Sequence, residues 1–381
     1  MKEIAVALEH RFYSFQGALY TKLAFSYDYW RDYLCYFDNV KIIARVKIVD
    51  TLEADFVRVD GPQVEFVSFP YYVGPKQFLR LIPNLLLSSY RITKNHSHFL
   101  LRSGNITNLL WPFLIIMRRP YIREYPGNIK EGITGFAGHS RKMKFVAGIS
   151  EYFAKIQAKF SRANGFVSEY CRKLYSSDKP SFVFSSFRLS EIKTRKISYA
   201  STEQCFRVIS VGRLEKEKGH IDLVYAISSL IKNRNSNIQL HIIGDGSQLN
   251  ILRTLATRLN VNILLHGAIT DRHVLFDLLA TADVFVIPSH TEGMPRALLE
   301  AMAIGLPCVG AAVGGIPEVL PQKFLFPPYD PNSLSKLLYD VLSDENLRIS
   351  MGKQNLELMN SSFDTDAVNS RKLMFWSKLY E

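Results

Sequence analysis

Short runs of Val, Ile and Leu alternate with helix-period segments through the second half of the chain. The runs are Phe206–Val211, Ile238–Ile243, Val261–Leu265 and Asp283–Pro288, and helical patterns follow over Ile221–Lys232, Ser247–Leu259, Val274–Ala280 and Pro295–Ala303. A strand that is apolar throughout is covered on both faces, so this alternation predicts a parallel sheet between two helical layers. Ligands of such sheets sit beyond the carboxyl ends of the strands. The loops that leave these runs are therefore where chemistry is expected.

The first half carries a weaker version of the pattern. Candidate strands are Glu3–Leu8, Val40–Val46, Val64–Phe69, Phe99–Arg102, Tyr121–Glu124 and Gly165–Ser168. A chain of 381 residues is too long for one ordinary core. The polar, basic segment 179–205 lacks a strong period, and a domain boundary is expected within it, near residue 190. The expected division is residues 1–190, residues 191–355 and a last helical stretch in 356–381.

Composition excludes several classes. The apolar run Leu109–Met117 has nine residues and contains Pro112, whereas a membrane-crossing helix needs roughly 20. Glu9 interrupts the opening MKEIAVALEH before a signal-peptide core could form, so a cytoplasmic chain is expected. Cys35, Cys171, Cys205 and Cys308 are spaced neither as metal ligands nor as a disulfide framework. Residues 1–200 hold 30 Lys+Arg against 16 Asp+Glu, so the first half carries the whole positive excess of a chain whose net charge is +12. That half is expected to face an anionic partner or to be a solvated basic surface.

Two segments carry chemistry. The run Phe206–Val211 continues into VGRLEKEKGH, where Gly212 permits a tight exit and Arg213 and Lys218 place two cations past the strand end. An arginine fork and a lysine point charge suit a diphosphate. The second segment, PSHTEGMPRALLEAMAIGLP at 288–307, leaves a strand and opens a helix. Pro295 suits the first helical position and Gly305 the position just past the helix end. The backbone N–H groups of Ala297 and Leu298 then point toward an anion site at the strand's carboxyl end. Glu292 precedes the helix, and Glu300 within it leans back toward that end, so both carboxylates can accept bonds from sugar hydroxyls.

These segments belong to a longer constellation. VGRLEKEKG at 211–219, IIGDGSQ at 242–248, HGAI at 266–269, the Glu292–Glu300 pair and VGGIPEVL at 313–320 stand in the order and spacing of retaining glycosyltransferase family 4. The C-terminal half resembles that family over roughly residues 206–360. The segments LLRSGNITNLL and YIREYPGN resemble bacterial polysaccharide-type members. The resemblance implies the GT-B fold: two Rossmann-like, doubly wound α/β domains with a cleft between them, the last helix packing back on the first domain. It implies transfer of a hexose with retention, from a UDP- or GDP-linked donor to a glycan or lipid-linked acceptor, in surface polysaccharide or lipopolysaccharide assembly.

Residue by residue, the resemblance implies that Arg213 and Lys218 bind the donor diphosphate and that Glu300 holds the ribose. Glu292 would hold the transferred sugar. Gly212, Gly293, Met294 and Pro295 would line the site, with the N–H groups of Ala297 and Leu298 on phosphate. Gly17, in EHRFYSFQGALYTK, would precede a helix and close the cleft from the N-terminal side. Glu124 and His10 are candidates for the N-terminal residue near the anomeric carbon. No cofactor is expected. No metal is expected either, because the cations and the helix N-terminus can stabilise the leaving group. The Asp364–Asp366 triplet reads as a helix cap. The alternatives are an epimerase of the same fold and, with less support, a basic nucleic-acid-binding protein or an inactive binding module.

One further helix is legible. Phe145, Ile149, Tyr152, Phe153, Ile156 and Phe160 recur at spacings of three and four within Arg141–Arg162. A folded domain is expected to bury this stripe in its own core. Arg141, Lys142, Lys144, Lys155, Lys159 and Arg162, with Arg118 and Arg119, would remain exposed. They would give weak, reversible attachment to an anionic leaflet without insertion, at the inner face of the plasma membrane.

Overall fold

The computed structural model describes residues 1–381 apart from 23, 54–55, 138–139, 186, 188–204 and 235–236. The boundary expected near residue 190 lies outside the described residues. On either side of it the chain builds one sheet.

The N-terminal sheet starts with β1 (Glu3–Phe15), β2 (Ala18–Thr21), α1 (Tyr27–Arg31), β3 (Asn39–Ile48), β4 (Val57–Arg58) and β5 (Val64–Phe69). Next come α2 (Gly74–Asn95), β6 (Phe99–Leu101), α3 (Asn105–Ile116), β7 (Tyr121–Tyr125), α4 (Ile129–Ala137) and α5 (Arg141–Phe160). The unit closes with β8 (Asn164–Phe166), α6 (Glu169–Leu174) and β9 (Ser181–Val183). Its parallel strands run β5-β3-β1-β6-β7-β8-β9, with β2 and β4 antiparallel beyond β1. Ile4, Val6, Val40 and Ile42 face one layer and Ala5, Ala7, Ile43 and Phe99 the other, as period-2 strands buried on both sides require.

The C-terminal unit runs β10 (Phe206–Val211), α7 (His220–Arg234), β11 (Ile238–Ile243), α8 (Leu249–Leu259), β12 (Asn262–Leu265), α9 (Arg272–Ala280) and β13 (Val284–Ile287). It continues with α10 (Arg296–Ala303), β14 (Cys308–Ala311), β15 (Leu325–Phe326), α11 (Pro331–Ser343) and α12 (Glu345–Ser362). Its order is β12-β11-β10-β13-β14-β15, and every pairing is parallel. The chain winds outward from β10 in one direction and resumes at β13 in the other. The switch point therefore lies between β10 and β13, where a crevice opens beyond the carboxyl ends.

The last helix, α13 (Thr365–Ser377), returns to the first unit. Asp364 caps it, accepting from the N–H groups of Asp366 and Ala367 at 3.1 Å each, the role read for this triplet. Val368, Phe375, Trp376 and Leu379 are buried beside Trp30, Tyr33 and Phe37. The Tyr380 hydroxyl donates to the Glu3 carbonyl at 2.9 Å. The break before this helix falls at Phe363–Asp364 rather than at 355, because residue 355 lies inside α12, where Asn355 is buried and donates to the Leu306 carbonyl at 2.8 Å.

Two expectations are corrected. Gly17 does not precede a helix. It sits with Gln16 in the two-residue turn of the β1–β2 hairpin, both with positive φ (48° and 81°), the backbone that suits a tight hairpin. Strand β1 runs past β6, stays paired with β3 beyond a bulge between Ala7 and Arg11, and carries Gly17 out on that hairpin. The second correction concerns α5. Its aromatic stripe is exposed, and the helix is buried instead through Ala147, Ala154, Gln157 and Ala158. Alanines let the helix axis approach the sheet closely, and that contact outcompetes the bulkier face.

Candidate functional site

Three loops meet in the crevice beyond β10 and β13. Leu214, fully buried, anchors the loop after β10. Its N–H donates to the Asp245 carbonyl at 2.9 Å and its carbonyl accepts from Gln248 at 2.8 Å, which ties this loop to the one after β11. A short turn over Lys216–Lys218 ends at Gly219, with φ of 67°. A Cβ there would lie 1.9 Å from the Pro288 carbonyl oxygen, so only glycine lets this loop abut the one leaving β13. That contact brings Lys218 Nζ to 2.7 Å from Glu292 Oε1. The same carboxylate oxygen accepts from Ser289 Oγ at 2.7 Å. The loop after β14 closes on Glu292 through Gly314, whose φ of 56° brings it against the Glu292 carbonyl. Gly315 N–H then donates to the Gly293 carbonyl at 2.8 Å.

Arg213 points outward along the same turn, with its guanidinium 2.8 Å from Glu217 Oε1. Gly212 donates its N–H to the Ile243 carbonyl at 3.0 Å. Glu300 is buried in the second turn of α10, and Arg272, the first residue of α9, reaches its Oε1 at 3.2 Å. Arg213, Lys218, Glu292 and Glu300 thus each have a charged protein partner. Pro295 is the N-cap of α10 rather than its first helical residue, with ψ of 114°. Leu298 N–H already donates to the Pro295 carbonyl at 3.2 Å, because this first turn is tightened. Among the described residues no backbone carbonyl takes the N–H of Ala297. Leu298 itself is buried core, while Met294 packs half-buried beside it.

The N-terminal unit faces this crevice through the loop after β7. Gly293 lies against the Pro126–Gly127 turn: a Cβ on Gly293 would come within 2.5 Å of the Pro126 carbonyl oxygen. Glu131, in α4, accepts from Thr291 Oγ1 at 2.7 Å and from the Tyr170 hydroxyl at 3.1 Å. Glu318 crosses in the other direction and accepts from the N–H groups of Glu169 and Tyr170 at 2.9 and 2.6 Å. Sequence reasoning missed Glu131, Glu318, Thr291 and Arg272. Glu318 stands in the VGGIPEVL segment, but nothing local marks its partner, which lies 149 residues away.

Glu124 and His10 do other work. Glu124 pairs with Arg102 at 3.2 Å. His10 lies between Phe12 and Phe25 and shares a 3.1 Å hydrogen bond with Thr21. Burial first, then Arg11 and Arg45, hold its pKa down at about 4. Neither residue hydrogen-bonds to the Glu292 loop among the described residues. No group of three or more His, Cys, Asp or Glu that could hold a metal is present among the described residues.

Fold and crevice together define a class. Residues 192–357 match the family described as glycosyl transferases, group 1. HepE of Anabaena, solved with UDP-glucose, superposes with a TM-score of 0.72 at 17% identity, covering 99% of this chain and 100% of that one. The architecture is therefore GT-B, and the domain that holds the crevice is a glycosyltransferase domain.

Particular relatives narrow the comparison. Protein CapJ of Staphylococcus aureus is 26% identical over 371 residues, which cover 93% of this chain and 92% of CapJ. The putative teichuronic acid biosynthesis glycosyltransferase TuaC of Bacillus subtilis is 24% identical over 276 residues, covering 71% of this chain and 66% of TuaC. No helix among the described residues is long and apolar enough to cross a membrane.

Proposed function

We propose that this chain transfers a hexose from a nucleotide-diphosphate sugar to a hydroxyl of a glycan or lipid-linked acceptor, with retention, in surface-polysaccharide assembly. The observation that carries the reading is the Lys218–Glu292 pair at the switch point, with the α10 N-terminus beside it. A cation, a sugar-sized carboxylate and a helix N-terminus in one crevice suit a donor whose anionic and hydroxylated parts are adjacent. The name of TuaC and the UDP-glucose bound in HepE support the polysaccharide setting and the donor class.

In this reading the diphosphate takes Lys218 and Arg213 from Glu292 and Glu217. The freed Glu292 accepts from sugar hydroxyls, Ala297 N–H donates to a phosphate oxygen, and Glu300 holds the ribose beside Arg272. Gly212, Gly293, Met294 and Pro295 form the wall. The bond from the anomeric carbon to the phosphate oxygen breaks, and the acceptor oxygen bonds to the same face. The acceptor proton passes to the departing phosphate oxygen, whose negative charge the two cations stabilise. The N-terminal unit supplies Pro126, Gly127 and Glu131 opposite the sugar.

A thermal-shift panel of UDP, GDP and ADP with their sugars tests the donor reading. A bound nucleotide at about 100 times its dissociation constant adds about 2.7 kcal/mol of stability. A shift with one base that the Lys218→Ala variant loses is expected. No shift with any of them would overturn the assignment.

A further inference from the structure

Helix α5 has two apolar faces, and the domain uses the smaller. Ala147, Ala154 and Ala158 are buried, and the Ala154 and Gln157 carbonyls accept 2.7 Å bonds from the hydroxyls of Tyr125 and Tyr121. At 3.6 residues per turn, Phe145, Ile149, Tyr152, Ile156 and Phe160 share an arc of about 80° on the opposite side. Phe145, Tyr152 and Phe160 are 70%, 65% and 60% exposed. The apolar surface continues onto neighbouring helices. Trp111 of α3 packs against Phe153 and Phe160, with ring centroids 6.3 and 6.2 Å apart, and Ile116 at the end of α3 is 74% exposed. Tyr90 of α2 meets Phe113 of α3 at 6.1 Å, beside exposed Leu86 and Leu87.

Charge follows the same surface. Residues 70–165, which contain α2 to α5, hold 15 Lys and Arg against three acids, equal to the whole net charge of +12. Two of those acids face elsewhere: Glu124 pairs with Arg102 and Glu131 accepts from Thr291. The third, Glu151, lies near Lys155 and Lys130 at 3.7 and 3.9 Å. Lys144, Lys155, Lys159 and Arg162 are exposed along one flank of the aromatic stripe.

We propose that this face of the N-terminal unit docks on an anionic lipid bilayer, with α5 lying in the interfacial plane and its aromatic stripe inserted. A helix with an aromatic face and a lysine flank meets both parts of a lipid surface, the acyl boundary and the phosphates. A second copy of the chain fits less well, because apposing two such faces brings cationic flanks together without acids to match them. Nucleic acid would satisfy the lysines and leave the aliphatic surface in water. Helix α4, which faces the crevice through Glu131, immediately precedes α5, so docking holds the cleft at the bilayer surface. The proposal does not depend on the donor reading, since binding is measured without turnover.

The sequence supplies its own reporter. Of three tryptophans, Trp30 and Trp376 are buried in the other helical layer and Trp111 lies under the stripe. Flotation of the full chain with phosphatidylcholine vesicles, with and without phosphatidylglycerol, reads binding; brominated lipid reads insertion by quenching Trp111. The expected result is at least tenfold tighter binding to the anionic vesicles, with quenching that persists in high salt. Phe145→Ser/Tyr152→Ser/Phe160→Ser should abolish quenching with an unchanged thermal midpoint. Lys144→Glu/Lys155→Glu/Lys159→Glu should remove the preference for anionic lipid. Failure to float, or flotation that salt reverses without quenching, would overturn insertion. A solution dimer, or oligonucleotide binding, that the serine variant abolishes would assign the face to that partner instead.

Discussion

Lys218 Nζ and Glu292 Oε1 lie 2.7 Å apart, joined across two loops that leave different strands. Both side chains are largely withdrawn from water, so each charge depends on the other until a ligand replaces one of them.

Removing either partner should therefore have two separable effects. Lys218→Ala leaves a largely buried carboxylate with only Ser289 and should lower unfolding free energy by about 1–3 kcal/mol. Lys218→Ala/Glu292→Ala should cost less than the sum of the single changes. Activity should fall about 10²–10³-fold in all three variants, whatever their stability. Urea unfolding and initial rates on the same preparations check this, and full activity in the double variant would refute the assignment.

The loops meet only because residue 219 has no side chain. Gly219→Ala would drive a Cβ into the Pro288 carbonyl, at a position that also needs a positive φ. The expected cost is well over about 1 kcal/mol, together with loss of nucleotide binding as Lys218 is displaced. Binding of donor at the wild-type affinity would show that the two loops need not touch.

Glu318 ties the two units together across the cleft by capping the first turn of α6. Glu318→Ala removes two charge-assisted bonds, worth about 1–2 kcal/mol for exposed groups. Small-angle scattering should report a larger radius of gyration without nucleotide, while the midpoint of the main thermal transition barely moves. An unchanged scattering curve would mean that the Gly293–Gly127 and Thr291–Glu131 contacts suffice.

Acid should destabilise the chain through its buried histidines. Burial, then Lys218, hold His220 down at about 3, and His10 lies at about 4. An unfolded histidine titrates near 6.5, so below that pH the unfolded state binds the extra proton. Stability present above pH 6.5 is then lost as pH falls toward 4, by on the order of 1 kcal/mol per pH unit per group. Chemical denaturation at pH 7.5 and 5.5 measures the slope, which His220→Gln should reduce. An identical slope in that variant would assign the pH dependence to other groups.

The sequence by itself determined the C-terminal sheet. Strands β10 and β11 fall on the apolar runs read for them, because a strand buried on both faces has no other compatible period. It also marked the loops that carry Arg213, Lys218, Glu292 and Glu300, since a parallel sheet leaves its carboxyl-end loops free for ligands. It did not reveal the partners that hold these residues. Arg272 meets Glu300, Glu131 meets Thr291 and Glu318 meets the start of α6 across contacts that exist only once separate loops or separate units come together. Gly17 was misplaced because a glycine before an apolar segment opens a helix or turns a hairpin equally well, and the pairing of β1 with β2 decided between them. The orientation of α5 shows the limit most plainly. Its period established which residues share a face, but both faces are apolar. Only the packed domain decided that the alanines, which let the helix come close, would face the sheet and leave the aromatics outside.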